Sequence, residues 1–262
     1  MDAKDKLIVA LDVDHASRAF ELHDVLRDSV GSFKIGMQLF TAAGPEIVRQ
    51  IVSRGNRVFL DLKFHDIPNT VAMAAIEATR LGVSMFNVHA SGGREMMKRA
   101  ADAVAEVTAR EGLTKPLVLG VTLLTSADQE TLQQLGISGE PAQVVRRLAN
   151  LARSSGLDGV VASAHEIEIV RDEVADQNFK IICPGIRSAG AATQDQRRTM
   201  SAGEAVRAGA DYVVVGRPII QAKDPATAAE TLCAEIEMAM ANAVAVNQTT
   251  RSAELKSSDR VH

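Results

Sequence analysis

Cysteine is scarce. The chain has two in 262 residues, Cys183 and Cys233, fifty positions apart and each inside an apolar run. A disulfide framework or a cysteine-based zinc site needs more, so both read as buried free thiols of a reducing compartment. A surplus of positive charge is missing as well: 29 Lys and Arg against 33 Asp and Glu leave a net charge of −4. That excludes the broad basic surface behind non-specific nucleic-acid binding, though not a phosphate held by local groups. No stretch approaches the ~20 apolar residues that span a membrane. The acidic start MDAKDKLIVALDVD has too short an apolar run for a signal peptide. No break in composition divides the chain. These absences leave a soluble cytoplasmic protein with one domain over 1–243 and a polar tail over 244–262 that reads as a loose extension.

What is present is a rhythm. Short apolar or β-branched runs recur at Leu7–Leu11, Phe33–Gly36, Val58–Leu62, Met85–Val88, Leu117–Val121, Gly159–Ala162, Lys180–Cys183 and Tyr212–Val215. Most are continuous, as strands covered on both faces should be. Helical segments separate most of them. Pro68–Leu81 has proline at a first helical position, apolar residues at Val71, Ala74, Ala78 and Leu81, and Gly82 as its stop. Glu140–Ser155 ends before Gly156, and Ala226–Met240 places Leu232, Ile236 and Met240 four apart. Eight strand–helix alternations in this length predict an α/β fold, a single-domain (β/α)8 TIM barrel. An open doubly wound sheet is the alternative, but it needs fewer strands.

Barrel enzymes carry their chemistry where strands pass into the following loops. Polar groups stand at most of these ends, and the third run, FLDLKFHDIP, crowds Asp61, Lys63, His65 and Asp66 into six positions. Alternation puts Asp61 and Lys63 on one face, toward the barrel mouth, with Leu60 and Leu62 toward the helices. Lys34, inside the second run SFKIG, can point into the same space. A plain reading also exists: a structural ion pair with Asp66 capping the next helix. Asp12 or Asp14 can cap the helix after the first run, and Thr125 and Ser126 can begin the one after the fifth. His65 and His89 read as hydrogen-bonded scaffold, since no pair has metal-ligand spacing with a third partner.

The eighth run passes directly into Gly216-Arg217-Pro218. Glycine admits an anion close to the backbone, Arg217 adds a bidentate fork, and Pro218 opens a helix, so a phosphate seat is expected here. After the seventh run, Arg187–Thr199 reads RSAGAATQDQRRT, long, small and polar, with Gln194, Gln196, Arg197 and Arg198. We read it as a lid.

Taken together, ALD in the first run, FKIG in the second, DLKFHDIPNT after the third, VTLLTS in the fifth, CPGIR followed by DQRR, and VVVGRP in the eighth resemble the orotidine 5′-phosphate decarboxylase family. The match runs from about Leu7 to Gln221 with the motifs in family order. D-x-K-x-x-D alone is shared with metal-dependent sugar-phosphate enzymes; the full set is specific. The resemblance implies decarboxylation of orotidine 5′-monophosphate to UMP, the last step of pyrimidine nucleotide synthesis, with neither cofactor nor metal. It implies Lys63 as proton donor to C6, Asp61 and Asp66 flanking it, and Lys34 completing an alternating charge array. It makes Asp12 and Lys34 the holders of ribose hydroxyls, Thr125 a pyrimidine contact, Gln196 a span between base and phosphate, and Arg187, Gly216 and Arg217 the phosphate end. In the family, Asp66 enters the neighbouring subunit's site with Ile67 and Thr70, which implies a homodimer.

Two rivals remain at this stage. A metal-dependent aldolase or decarboxylase acting on a ketose phosphate would use Asp61 and Asp66 as Mg²⁺ ligands. A UMP-sensing barrel without catalysis would have little use for a costly buried charge array.

Overall fold

The computed structural model describes residues 2–186 and 200–258, with side chains to residue 242. Eight parallel strands close into a barrel in sequence order. They are β1 (Leu7–Ala10), β2 (Ser32–Gly36), β3 (Arg57–Phe64), β4 (Met85–His89), β5 (Leu117–Val121), β6 (Gly159–Val161), β7 (Lys180–Cys183) and β8 (Tyr212–Val215). β1 pairs with both β2 and β8, which seals the ring. The expected barrel is the observed one. The largest departure is β3, which runs on to Phe64 rather than ending at Leu62.

Helices fill the outside, with local chemistry setting their ends. Pro68 opens the helix Pro68–Arg80, where a missing N–H costs nothing, and Gly82, at φ +75°, turns the chain back toward β4. Glu140 and Gln143 form a reciprocal cap at the start of Pro141–Ser154. The last helix spans Pro225–Ser258 and passes the boundary drawn at 243/244 without interruption.

Two apolar layers result from the period-2 alternation of the strands. Leu7, Val9, Phe33, Ile35, Leu60, Phe86, Val88, Val213 and Val215 point outward and pack beneath the helices. Ile8, Ala10, Phe59, Met85, Leu119, Val121, Val161, Ile182, Tyr212 and Val214 fill the barrel interior. Each fully buried large side chain contributes roughly 1.5–3 kcal/mol, so these layers supply the main driving force. The interior rows also carry the site. Continuing by twos past Ala10, Phe59, Met85 and Val214 gives Asp12, Asp61, Asn87 and Gly216; Lys34 follows Ser32 on the same face of β2. Cys183 is a buried free thiol, and Cys233 is free and half-buried.

Candidate active site

Four charged side chains form one line across the barrel mouth. Lys34 Nζ donates to Asp12 Oδ1 at 3.0 Å and lies 3.3 Å from Asp61 Oδ2. Lys63 Nζ donates to the other oxygen, Asp61 Oδ1, at 2.7 Å. The order is therefore Asp12–Lys34–Asp61–Lys63, alternating in sign. Lys34 and Asp61 are nearly enclosed, at 11% and 12% side-chain exposure, so Lys34 does not merely snorkel to water. Burial alone would push the Asp61 carboxyl upward. The Lys34 and Lys63 ammonium groups, with hydrogen bonds from Lys63 and Asn87, outweigh it and hold the carboxyl below its ordinary value.

The backbone bends to make this pair. Lys63 has φ +52°, the one non-glycine residue with positive φ among the described residues. A side chain in the left-handed region costs roughly 1–2 kcal/mol, and such strain collects where a function needs it. The β3–β4 register shifts between Leu60 and Phe64, so Asp61 to Lys63 form a bulge rather than regular strand.

The line borders a cavity of about 160 Å³. Phe59, Val121, Val161 and Val214 from the interior layer form its apolar floor. Lys34, Asp61 and Lys63 stand on one side, and Leu123, Leu124 and Thr125 from the segment after β5 on another. Thr125 does not start the next helix: Asp128 caps Gln129–Gln134 by accepting from the Thr131 N–H. Asp12 likewise caps nothing, since the cap position of Ala16–Leu26 is His15.

Gly36 and Gly216 flank the Asp12 end. A Cβ at Gly36 would lie 2.9 Å from Lys34 Nζ, and one at Gly216 would lie 3.4 Å from Asp12 Oδ2. Arg217 is exposed and makes no hydrogen bond or ion pair among the described residues. Arg187 and Gln196, with the rest of the expected lid, lie outside the described residues.

Asp66, Ile67 and Thr70 stand apart from the line and are exposed. Asp66 forms no ion pair with Lys63 among the described residues, and its Oδ1 accepts the Ile67 N–H at 2.7 Å. The helix cap is Ile67, not Asp66. His65 and His89, read from the sequence as hydrogen-bonded scaffold, instead lie with ring centroids 5.2 Å apart and planes tilted by 36°, and make no side-chain hydrogen bond among the described residues. Burial, with the neighbouring His65 and Lys63, lowers the His89 pKa. Asn87, which the sequence reading passed over, bonds to both Asp61 and Lys63. Its signal was available: like Lys34 in SFKIG, it is a polar residue inside an apolar run, MFNVH.

The family model described as "Orotidine 5'-phosphate decarboxylase / HUMPS family" matches residues 5–232. The chain belongs to this family. It is 52% identical over 240 residues to the orotidine 5′-phosphate decarboxylase of Syntrophotalea carbinolica, covering 92% of this chain and 98% of that one. The Moorella thermoacetica protein of the same name is 53% identical over 239 residues, with 91% and 94% covered. Among solved structures, orotidine 5′-phosphate decarboxylase from Lactobacillus acidophilus superposes with a TM-score of 0.78 at 36% identity, covering 88% of this chain and 98% of the other. Family membership therefore rests on nearly the whole barrel, not on the D-x-K-x-x-D segment alone.

Proposed function

We propose that this chain decarboxylates orotidine 5′-monophosphate to UMP, the last step of pyrimidine nucleotide synthesis, and that Lys63 stabilises and protonates the carbanion formed at C6. The observation that carries this reading is the Lys63 ammonium, fixed 2.7 Å from Asp61 on the wall of a cavity with an apolar floor. The C6–carboxylate bond breaks, CO2 leaves, and the electron pair remains on C6 in an sp² orbital outside the π-system. The ring cannot delocalise that pair, so the site must meet it electrostatically. Lys63 Nζ then gives a proton to C6 and regains one from solvent. A unit-charge pair at ~4 Å is worth about 1 kcal/mol in water and about 4 kcal/mol at an effective dielectric near ~20, so exclusion of water multiplies the effect. Repulsion between Asp61 and the substrate carboxylate adds ground-state stress; we assign Lys63 the larger share.

The order of groups matches the order of parts in the nucleotide. Arg217 and Gly216 take the phosphate, with Arg187. Asp12 and Lys34 take the ribose hydroxyls, and the closeness of Gly216 to Asp12 supports that adjacency. Thr125 meets the pyrimidine, and Gln196 spans base and phosphate from the lid over 187–199. Phosphate binding far from C6 contributes to catalysis by closing that lid over the reacting end. Asp66, Ile67 and Thr70, exposed in the single chain, enter the neighbouring site of a homodimer, where Asp66 completes the charge array. The two free thiols suit the reducing cytoplasm. No helix among the described residues is long and apolar enough to cross a membrane.

The ketose-phosphate alternative needs Asp61 to ligate Mg²⁺, but both of its oxygens are already engaged by lysine ammonium groups. The deciding experiment is a spectrophotometric assay of orotidine monophosphate consumption, run with and without EDTA. Turnover insensitive to EDTA is expected. No turnover overturns the reading, and turnover abolished by EDTA transfers it to the metal-dependent class.

A further inference from the structure

β3 and β4 are in register at Leu60–Phe86 and again at Phe64–Val88, so four steps on β3 run beside two on β4. The bulged residues have no regular rungs to β4, and a buried backbone N–H without a partner is costly. The side chain of Asn87 stands in that gap. Its Oδ1 accepts the Lys63 N–H at 2.8 Å, and its Nδ2 donates to Asp61 Oδ1 at 2.8 Å. The orientation of the amide is forced, since a backbone N–H only donates and a carboxylate only accepts. Asn87 is 1% exposed, and a buried amide is tolerated only when its bonds are made.

We propose that Asn87 is a positioning residue for the decarboxylation, acting by holding the β3 bulge and thereby aiming both the Asp61 carboxylate and the Lys63 ammonium. This inference rests on the function proposed above. One amide joins the strained backbone of the proton donor to the carboxylate that holds the donor's own side chain. Other residues do only part of this. Aspartate keeps the acceptor for Lys63 N–H, loses the donor to Asp61 and sets a second carboxylate against it. Alanine loses both bonds. Glutamine is one methylene too long for a filled interior row. Without the acceptor, the left-handed backbone of Lys63 is free to relax to negative φ, which swings Cβ and carries Nζ off its line. The charged groups around Asp61 are Lys34 from β2, Lys63 from its own strand and His89 from β4, with Asp12 of β1 behind Lys34. None of them can replace a neutral group that donates and accepts at once.

The test compares wild type, Asn87→Ala and Asn87→Asp as full-length proteins, with active sites counted by UMP titration so that unfolded protein does not enter kcat. A displacement of ~1 Å at a reacting group costs about 10²-fold, and both variants should lose about that much kcat. KM and UMP affinity should stay within about threefold, because the phosphate and ribose contacts remain. A purely structural role would lower thermal stability and leave kcat per folded site unchanged. Hydrogen exchange adds an independent reading: the Lys63 amide should exchange slowly in wild type and in Asn87→Asp, which keeps the acceptor, and quickly in Asn87→Ala. If Asn87→Ala does not fold, Asn87→Asp, of nearly equal volume, decides on kcat per folded site, since it loses the bond to Asp61. A wild-type protein that does not consume orotidine monophosphate defeats the functional reading. A wild type that turns over while the variants keep kcat within about threefold, or whose own Lys63 amide exchanges freely, defeats the role of Asn87 alone.

Discussion

Lys63 and Asp61 are two residues apart on one strand, yet the lysine nitrogen returns to within 2.7 Å of the Asp61 carboxylate. In a regular strand such neighbours stand parallel, their Cα atoms ~7 Å apart. Here the backbone turns at Lys63 itself, at φ +52°. The ammonium is thereby held at the cavity wall rather than extended into solvent.

Replacement of Lys63 by alanine should therefore remove catalysis without removing the nucleotide site. We expect kcat to fall by at least ~10³-fold, the scale of losing a preorganised transition-state donor. UMP has no carboxylate at C6 and should keep its affinity, as isothermal titration would measure. Substantial CO2 release by Lys63→Ala would remove the lysine from the mechanism.

Arg217 is free of partners among the described residues and lies one position beyond Gly216. Loss of a charge-assisted bond to phosphate is worth about 1.5–3 kcal/mol, so Arg217→Ala should raise KM by roughly ten- to a hundredfold. Unchanged steady-state kinetics would take Arg217 out of the phosphate seat.

Shared sites make a quantitative demand on mixed dimers. Lys63→Ala and Asp66→Asn should each be nearly inactive alone. After unfolding and refolding together, about half of the dimers are mixed, and each of those rebuilds one native site, so about a quarter of wild-type activity should return. No recovery, with dimers confirmed by sedimentation, would mean that Asp66 serves its own subunit.

The depressed pKa of Asp61 makes a prediction about acid. A carboxyl held below its ordinary value of 3.8 contributes stability that is complete above that value and lost as pH falls through the folded one. The thermal midpoint of wild type relative to Asp61→Asn should therefore be constant at neutral pH and fall once pH drops below the ordinary carboxyl range. A difference that stays constant into strong acid would show that the Lys34 and Lys63 pairs do not act on this group.

The barrel was legible from residues alone because its strands announce themselves. Eight apolar runs separated mostly by helical segments, with proline and glycine at helix ends, leave few other ways to bury that much surface. The importance of Asp61, Lys63 and Lys34 was legible for the converse reason: charge inside an apolar run is expensive and implies a use. Asn87 carried the same mark more faintly, since an amide in a strand is less unusual than an ammonium. Contiguity was not legible. Asp12, Lys34 and Asp61 come from three strands, and only closure of the barrel, with β1 beside β2 and β2 beside β3, lines them up. Nor was the bend at Lys63, because regular alternation is a local rule and a bulge answers to the neighbouring strand. Sequence decided which residues would be buried and which charges would be costly; tertiary structure decided which of them would meet, because distances between strands are set by pairing and register, and neither is a property of any one segment.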